Sequence, residues 1–203
     1  MLADKTLMRD DWNHNIHYHD VILRAVPANC RSALDVGCGN GMFARQLAKY
    51  CERVTAIEID RETLLRGASA GDSGGRITFV DGDVMTFPFL NESFDLISVV
   101  ATLHHLPLES ALGRFRDLLK SGGVLAVIGL YRAHTIQDFA FAAAGKPASW
   151  ILRRFRSCAD VEAPLREPKE TLGEIRRSCG ALLPGNKLQR LLLFRYSVVW
   201  RKP

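Results

Sequence analysis

The chain has 203 residues, 47% hydrophobic and 24% charged, with a formal net charge of +5. That length suits one domain with a sizeable core, and the composition excludes collagen-like and low-complexity classes. No apolar run approaches the ~20 residues that span a bilayer, and the charge is uneven: residues 146–203 carry 13 Lys/Arg against 5 Asp/Glu, and the remainder 14 against 17.

The opening stretch, Met1 to Asp11, is polar and carries acids, so no secretory leader is expected. The five cysteines, Cys30, Cys38, Cys51, Cys158 and Cys179, form no C-x-x-C pair. Their odd number and scatter indicate a reducing, cytoplasmic setting rather than a disulfide framework. Next, the segment from Asp11 to Asp20 clusters Trp12, His14, His17, Tyr18 and His19. The histidine spacing is irregular for one helix face and no Cys or acid completes a set, so no metal is expected. A helix is predicted over Asn15–Val26, ended by Pro27.

Strand-length apolar runs then alternate with helical spacing. The strands are Ala33–Val36, Val54–Ile59, Ile77–Val80, Phe94–Val100 and Val124–Leu130, and the helices Gly41–Tyr50, Arg61–Ala68 and Leu108–Leu119. Near-continuous apolar strands separated by helices imply a parallel sheet covered on both faces. Thr135–Phe155, broken by Gly145-Lys146-Pro147, reads as two short helices outside this alternation. A last helix is predicted over Glu170–Ser178, stopped by Gly180, and then two closely spaced strands, Leu188–Phe194 and Ser197–Lys202. So little chain between strands permits only antiparallel pairing. The fold class is therefore α/β: a Rossmann-like, doubly wound, seven-stranded sheet, mostly parallel, with a C-terminal antiparallel hairpin and a helical cap insertion after the fifth strand.

Three acidic or glycine-rich features sit at the ends of the first three strands. Asp35-Val-Gly-Cys-Gly-Asn-Gly41 follows the first strand and opens a helix. Gly37 and Gly39 permit positive φ and close approach of a ligand to the main chain, and Gly41 stands where free helix N–H groups face outward. The spacing is G-x-G-x-G, one residue short of the dinucleotide pattern, which ranks a nicotinamide dehydrogenase last. Glu58 ends the second strand, where an acid can accept from ribose hydroxyls. Asp83, after the third, is placed to accept from an exocyclic amine, with the Val84 N–H beside it.

"LDVGCGNGMFARQLA", "VTAIEID", "FVDGDVMTFPF", "SFDLISVVATLHHLP" and "LLKSGGVLAVIGLYR" together resemble successive motifs of class I S-adenosylmethionine-dependent methyltransferases. The likeness runs from about Ala33 to Leu130 and is strongest to the small-molecule group similar to ubiquinone/menaquinone biosynthesis methyltransferases. It implies that Asp35 and the Gly37–Gly41 loop, with Cys38, Gly39 and Gly41, meet the methionine part of S-adenosylmethionine. It further implies that Glu58 holds the ribose, Ile59 flanks the adenine, and Asp83 and Val84 read it. Ala101, just after the fourth strand, joins the candidate cofactor set. Asp60 is the rival ribose ligand, but as a strong N-cap residue it is expected to cap the next helix. Residues 1–31 would then be a lid, 32–132 the cofactor-binding core, 133–168 the cap and 169–203 the last helix and strand pair.

A sulfonium methyl is already activated, so the protein mainly aligns an acceptor; an oxygen or nitrogen acceptor also needs a base. His104 and His105 follow the fourth strand and are the candidate catalytic pair, His105 preferred because adjacent side chains diverge. Trp12, His14, His17, Tyr18 and Tyr131 are the candidate substrate contacts, and an apolar cap suits an aromatic or lipophilic metabolite. Three alternatives remain at this point. The acceptor is a small molecule, an RNA or other macromolecule met by the basic C-terminal part, or there is no turnover and only cofactor binding. The absence of an Asn/Asp-Pro-Pro-aromatic loop and of interleaved aromatics argues against nucleic acid. No membrane span is expected, and a monomer or homodimer is.

Overall fold

The computed structural model describes residues 18–69, 74–135, 138, 167–192 and 194–203. A short helix α1 (His19–Leu23) precedes β1 (Ser32–Val36), α2 (Met42–Leu47), β2 (Arg53–Glu58), α3 (Arg61–Ser69), β3 (Ile77–Asp81) and β4 (Phe94–Val100). A 3-10 turn (Leu103–His105) leads to α4 (Leu108–Leu118) and β5 (Leu119–Leu130), followed by α5 (Leu172–Leu182), β6 (Lys187–Leu191) and β7 (Arg195–Arg201). The seven strands form one sheet in the order β3-β2-β1-β4-β5-β7-β6. The first five are parallel to one another, and β7 runs antiparallel to both β5 and β6. The expected mixed, mostly parallel sheet is the one observed.

The apolar runs form central strands because each has a hydrophobic layer on both faces. One layer holds Leu34, Val36, Ile97, Val99 and Leu125 of the strands with Leu112 and Phe115 of α4 and Ile175 of α5. The other holds Ala33, Ala56, Leu96 and Ala126 with Ile22, Phe43, Leu47 and Leu64. Strand β7 reaches the interior through Tyr196, Val198 and Trp200, all at most 2% exposed.

Several boundaries differ from those read from the sequence. Helix α1 covers only part of Asn15–Val26, whose residues up to 17 lie outside the described residues. Strand β5 starts at Leu119 instead of Val124, because Gly122 takes φ +75° and its N–H and the Gly123 carbonyl pair with Lys202. Gly180 does not stop α5. The helix runs on to Leu182 and ends before Pro184-Gly185, where the Asn186 side chain donates to the Cys179 and Leu183 carbonyls. Its start is fixed by a capping box between Thr171 and Glu174. The helices expected over Thr135–Phe155 lie almost wholly outside the described residues. Asp138 there accepts from the His134 and Thr135 N–H groups and pairs with Arg190 at 2.9 Å.

Gly129, in the middle of β5, faces Tyr196 of β7, and a Cβ there would enter the Tyr196 ring. Gly129→Ala is therefore expected to destabilise the fold by about 1–3 kcal/mol through overpacking, read as a fall in thermal midpoint of roughly 2–4 °C per kcal/mol.

Candidate functional site

The glycine loop follows directly from where β1 ends. Gly37, Gly39 and Gly41 all have positive φ, at +65°, +54° and +74°, which an L side chain adopts only at a cost. Two of them are also hemmed in: a Cβ on Gly37 would overlap the Thr102 side chain, and one on Gly41 would lie 2.5 Å from the Phe79 ring. Gly39 is different. A Cβ there would find no described atom closer than Thr63 Cγ2 at 4.0 Å, so the space over its main chain is open.

The loop is tied to its neighbours. Gly37 and Cys38 donate N–H bonds to the Ile57 carbonyl, and Gly39 N–H donates to Glu58 Oε2 at 2.9 Å. The other Glu58 oxygen accepts from the N–H groups of Ile59 and Asp60, at 2.9 and 3.1 Å. The carboxylate is thus fixed in orientation at the end of β2. Asp60 accepts from Glu62 N–H, Thr63 N–H and the Thr63 hydroxyl, the helix-capping role expected of it. Arg45 reaches back to the Asn40 and Gly67 carbonyls and holds the loop against α3.

Asp35 is strongly perturbed. It is 2% exposed, and its Oδ1 accepts from the Ser98 hydroxyl at 2.7 Å. Its Oδ2 is buried with no hydrogen-bond partner among the described residues. Burial pushes its pKa up to about 7, with the nearby Glu58 charge adding and the Ser98 bond opposing. A buried, unpaired carboxylate oxygen is costly, and a cationic ligand group placed against it would remove that cost.

The other expected residues fall as follows. Asp83 Oδ1 accepts from Met85 N–H, and Val84 is buried at 4%. Ile59, an apolar side chain at the strand end, is 71% exposed. Ala101 has φ +52°, a left-handed conformation rare for alanine, and its N–H donates to the Ile128 carbonyl at 2.7 Å. Cys38 is buried, which raises its thiol well above the ordinary range. His104 and His105 lie in the turn after β4 with ring centroids 4.0 Å apart. Gly37–Gly41, Glu58, Asp83 and the two histidines all follow the C-terminal ends of parallel strands, the edge at which open α/β sheets bind ligands.

Tyr131 is a core residue: 1% exposed, its hydroxyl accepts from Arg190 Nε at 2.9 Å and its ring meets Phe194 edge-on. Tyr18 is half-buried against the main chain at Leu192, and burial raises its phenol pKa. Trp12, His14 and His17 lie outside the described residues. His19 bonds Gln46 at 3.3 Å and packs on Phe43; burial lowers its pKa to about 4, so it stays neutral. Ser98 and Thr102 were not singled out in the sequence. A serine in an otherwise apolar central strand was the available signal for the first, while the Gly37 contact of the second depends on tertiary structure.

The methyltransferase-domain family matches residues 34–127. An uncharacterized methyltransferase of Mycobacterium tuberculosis is 35% identical over 198 residues, covering 97% of this chain and 100% of the relative. A demethylmenaquinone methyltransferase of Roseiflexus castenholzii is 32% identical over 110 residues, 53% of this chain and 46% of that protein. Among solved structures, the N-methyltransferase NodS of Bradyrhizobium japonicum, in complex with S-adenosyl-L-homocysteine, superposes with a TM-score of 0.65 at 20% identity. The superposition covers 99% of this chain and 94% of that one.

The raised Asp35 pKa has a measurable consequence in the ligand-free protein. The native state keeps a proton that the unfolded chain releases near pH 4, so stability is full below that pH and is lost as pH rises through about 7. Asp35→Asn is expected to flatten this decline, gaining on the order of a few kcal/mol relative to the parent at pH 8. Urea unfolding from pH 4 to pH 8 checks it: parallel curves for the two proteins would contradict the assignment.

Proposed function

We propose a small-molecule acceptor for this chain, which belongs to the class I S-adenosylmethionine-dependent methyltransferase family. In this reading S-adenosylmethionine is the cofactor, and its methyl group passes by in-line displacement to an oxygen, nitrogen or carbon of an aromatic or lipophilic metabolite. The observation that supports the cofactor assignment is the buried Asp35 Oδ2, which has no hydrogen-bond partner among the described residues, in the strand that leads into the positive-φ loop of Gly37, Gly39 and Gly41.

The residues divide the work along the strand ends. Asp35, on meeting an ammonium, gives up its proton and becomes its counter-charge. The Gly37–Gly41 loop allows close approach. Glu58, already held by three main-chain N–H groups, presents its remaining lone pairs to the ribose hydroxyls. The exposed Ile59 side chain covers one face of the adenine, removing apolar surface from water. Asp83 and the Val84 N–H read its edge. Bound there, the cofactor supplies an electrophilic methyl, and His105 or His104 takes the proton from an oxygen or nitrogen acceptor.

A small acceptor is favoured over RNA by how three of the described C-terminal cations are used. Lys202 pairs with Glu92 and donates to the Leu119 carbonyl, Arg201 donates to the Gly122 carbonyl, and Arg190 pairs with Asp138. These charges close the fold rather than line a phosphate-binding track. An RNA gel shift that weakens with salt would reverse that choice.

Two outcomes test the proposal. S-adenosylmethionine binding is expected by calorimetry, weakened about tenfold or more by Gly39→Val, since a β-branched residue is strained at this positive φ and would occupy the open space over the main chain; no binding by the parent protein sinks the cofactor reading. With an acceptor found by screening metabolites for S-adenosylhomocysteine formation, His105→Ala is expected to lower kcat about 100-fold or more with cofactor affinity unchanged. Unchanged turnover removes His105 from the chemistry.

A further inference from the structure

At the sheet edge opposite the glycine loop, two thiols face each other. Ser32 of β1 pairs with Arg53 of β2 in parallel register. That register continues backward, with Arg53 N–H donating to the Arg31 carbonyl and Glu52 N–H to the Cys30 carbonyl, at 3.0 and 3.1 Å. Cys30 and Cys51 therefore stand opposite each other across neighbouring chain segments. Adjacent strands are roughly 4.8 Å apart, inside the Cα separation of about 4.4–6.8 Å that a disulfide spans. Both are reduced and each is 3% exposed, yet both line a surface cavity of about 500 Å³ with Arg31, Lys49, Tyr50 and Arg76.

We propose that Cys30 and Cys51 form a redox-responsive pair, closed to a disulfide by hydrogen peroxide entering this cavity. The Cys30 thiolate attacks one peroxide oxygen; the O–O bond breaks and the departing hydroxide leaves as water, giving a Cys30 sulfenic acid. The Cys51 sulfur then attacks that sulfur. The S–S bond forms, the S–O bond breaks, and the hydroxide takes the Cys51 proton as a second water. Two thiols are oxidised by two electrons and one peroxide is reduced to two waters.

The surroundings assign the order. The Cys51 thiol donates to Cys30, which pulls Cys30 below the ordinary thiol range with help from the Lys120 charge, against burial, Asp95 and Glu52. Cys51 is raised by the same bond and by burial. Cys30, the sulfur that feels the Lys120 charge, is thus assigned as the attacking group and Cys51 as the resolving one. Cys38 and Cys179 provide internal controls: both are buried among apolar side chains, which raises the first well above the ordinary range and pushes the second up to about 11. The ring so closed would enclose β1, the glycine loop and α2.

The full chain, treated with a small excess of hydrogen peroxide, alkylated and mapped by mass spectrometry, tests this. The expected product is a peptide joining Cys30 to Cys51, lighter by two hydrogens and released by dithiothreitol, while Cys38 and Cys179 are recovered alkylated. Oxidation should also raise the thermal midpoint by several degrees. In Cys51→Ser, a dimedone adduct should appear on Cys30 instead. Recovery of Cys30 and Cys51 as free thiols at the same level as Cys38, or a cross-link from Cys30 to another cysteine, overturns the proposal. The mapping needs only the parent protein, so a variant that fails to fold does not affect it.

Discussion

The left-handed turn at the end of β1 is the constraint on which the rest of this site depends. Gly37 has room only because nothing projects from it toward Thr102, and Gly41 only because nothing projects toward Phe79. The loop thereby packs simultaneously against the end of β4 and the side of β3, while its Gly39 N–H fixes the Glu58 carboxylate of β2. From the far side, Gly67 of α3 closes on the Asn40 main chain so tightly that a Cβ would lie 2.5 Å from it. Ends of four strands are therefore positioned by one backbone path. A side chain at Gly37 would displace the Thr102 turn that leads into His104 and His105, and so disturb that turn as well as the glycine loop.

The same region concentrates energetic cost. Ala101 adopts a conformation disfavoured for alanine, and Asp35 is kept from water with one oxygen unpaired. Such costs persist only when surrounding structure over-determines them. Here the determinants are visible: Ala101 is held by its bond to Ile128 of β5, and Asp35 lies in a strand paired on both sides, with β2 and β4. The apolar layers above and below the sheet supply the stability that these local strains consume.

How much of this was legible in the sequence depended on the range of the interaction. The seven strands and their directions followed from apolar runs and the short gap before the last strand, and the spacing of Gly37, Gly39 and Gly41 located the loop. Asp60 as a cap was readable because capping is local. The extension of β5 back to Leu119 was not, since it depends on Lys202, distant in sequence. Gly180 misled because a glycine inside a helix resembles a stop, whereas the stop is built from Asn186 and Pro184-Gly185. The contacts of Tyr131 were not legible either, since Arg190 and Phe194, which its side chain meets, are distant in sequence. The charge excess after residue 146 was countable from sequence, yet only the structure pairs Lys202 and Arg190 with Glu92 and Asp138.

The position of β7 has a consequence for biosynthesis. It is the last of the seven strands to leave the ribosome, yet it lies inside the sheet, between β5 and β6. Until it emerges, β5 presents Val124, Leu125, Val127 and Ile128 beside an unfilled edge. A chain that still lacks β7 therefore has a sticky, half-built sheet. Chaperones and proteases have a clear mark by which to distinguish unfinished copies from finished ones.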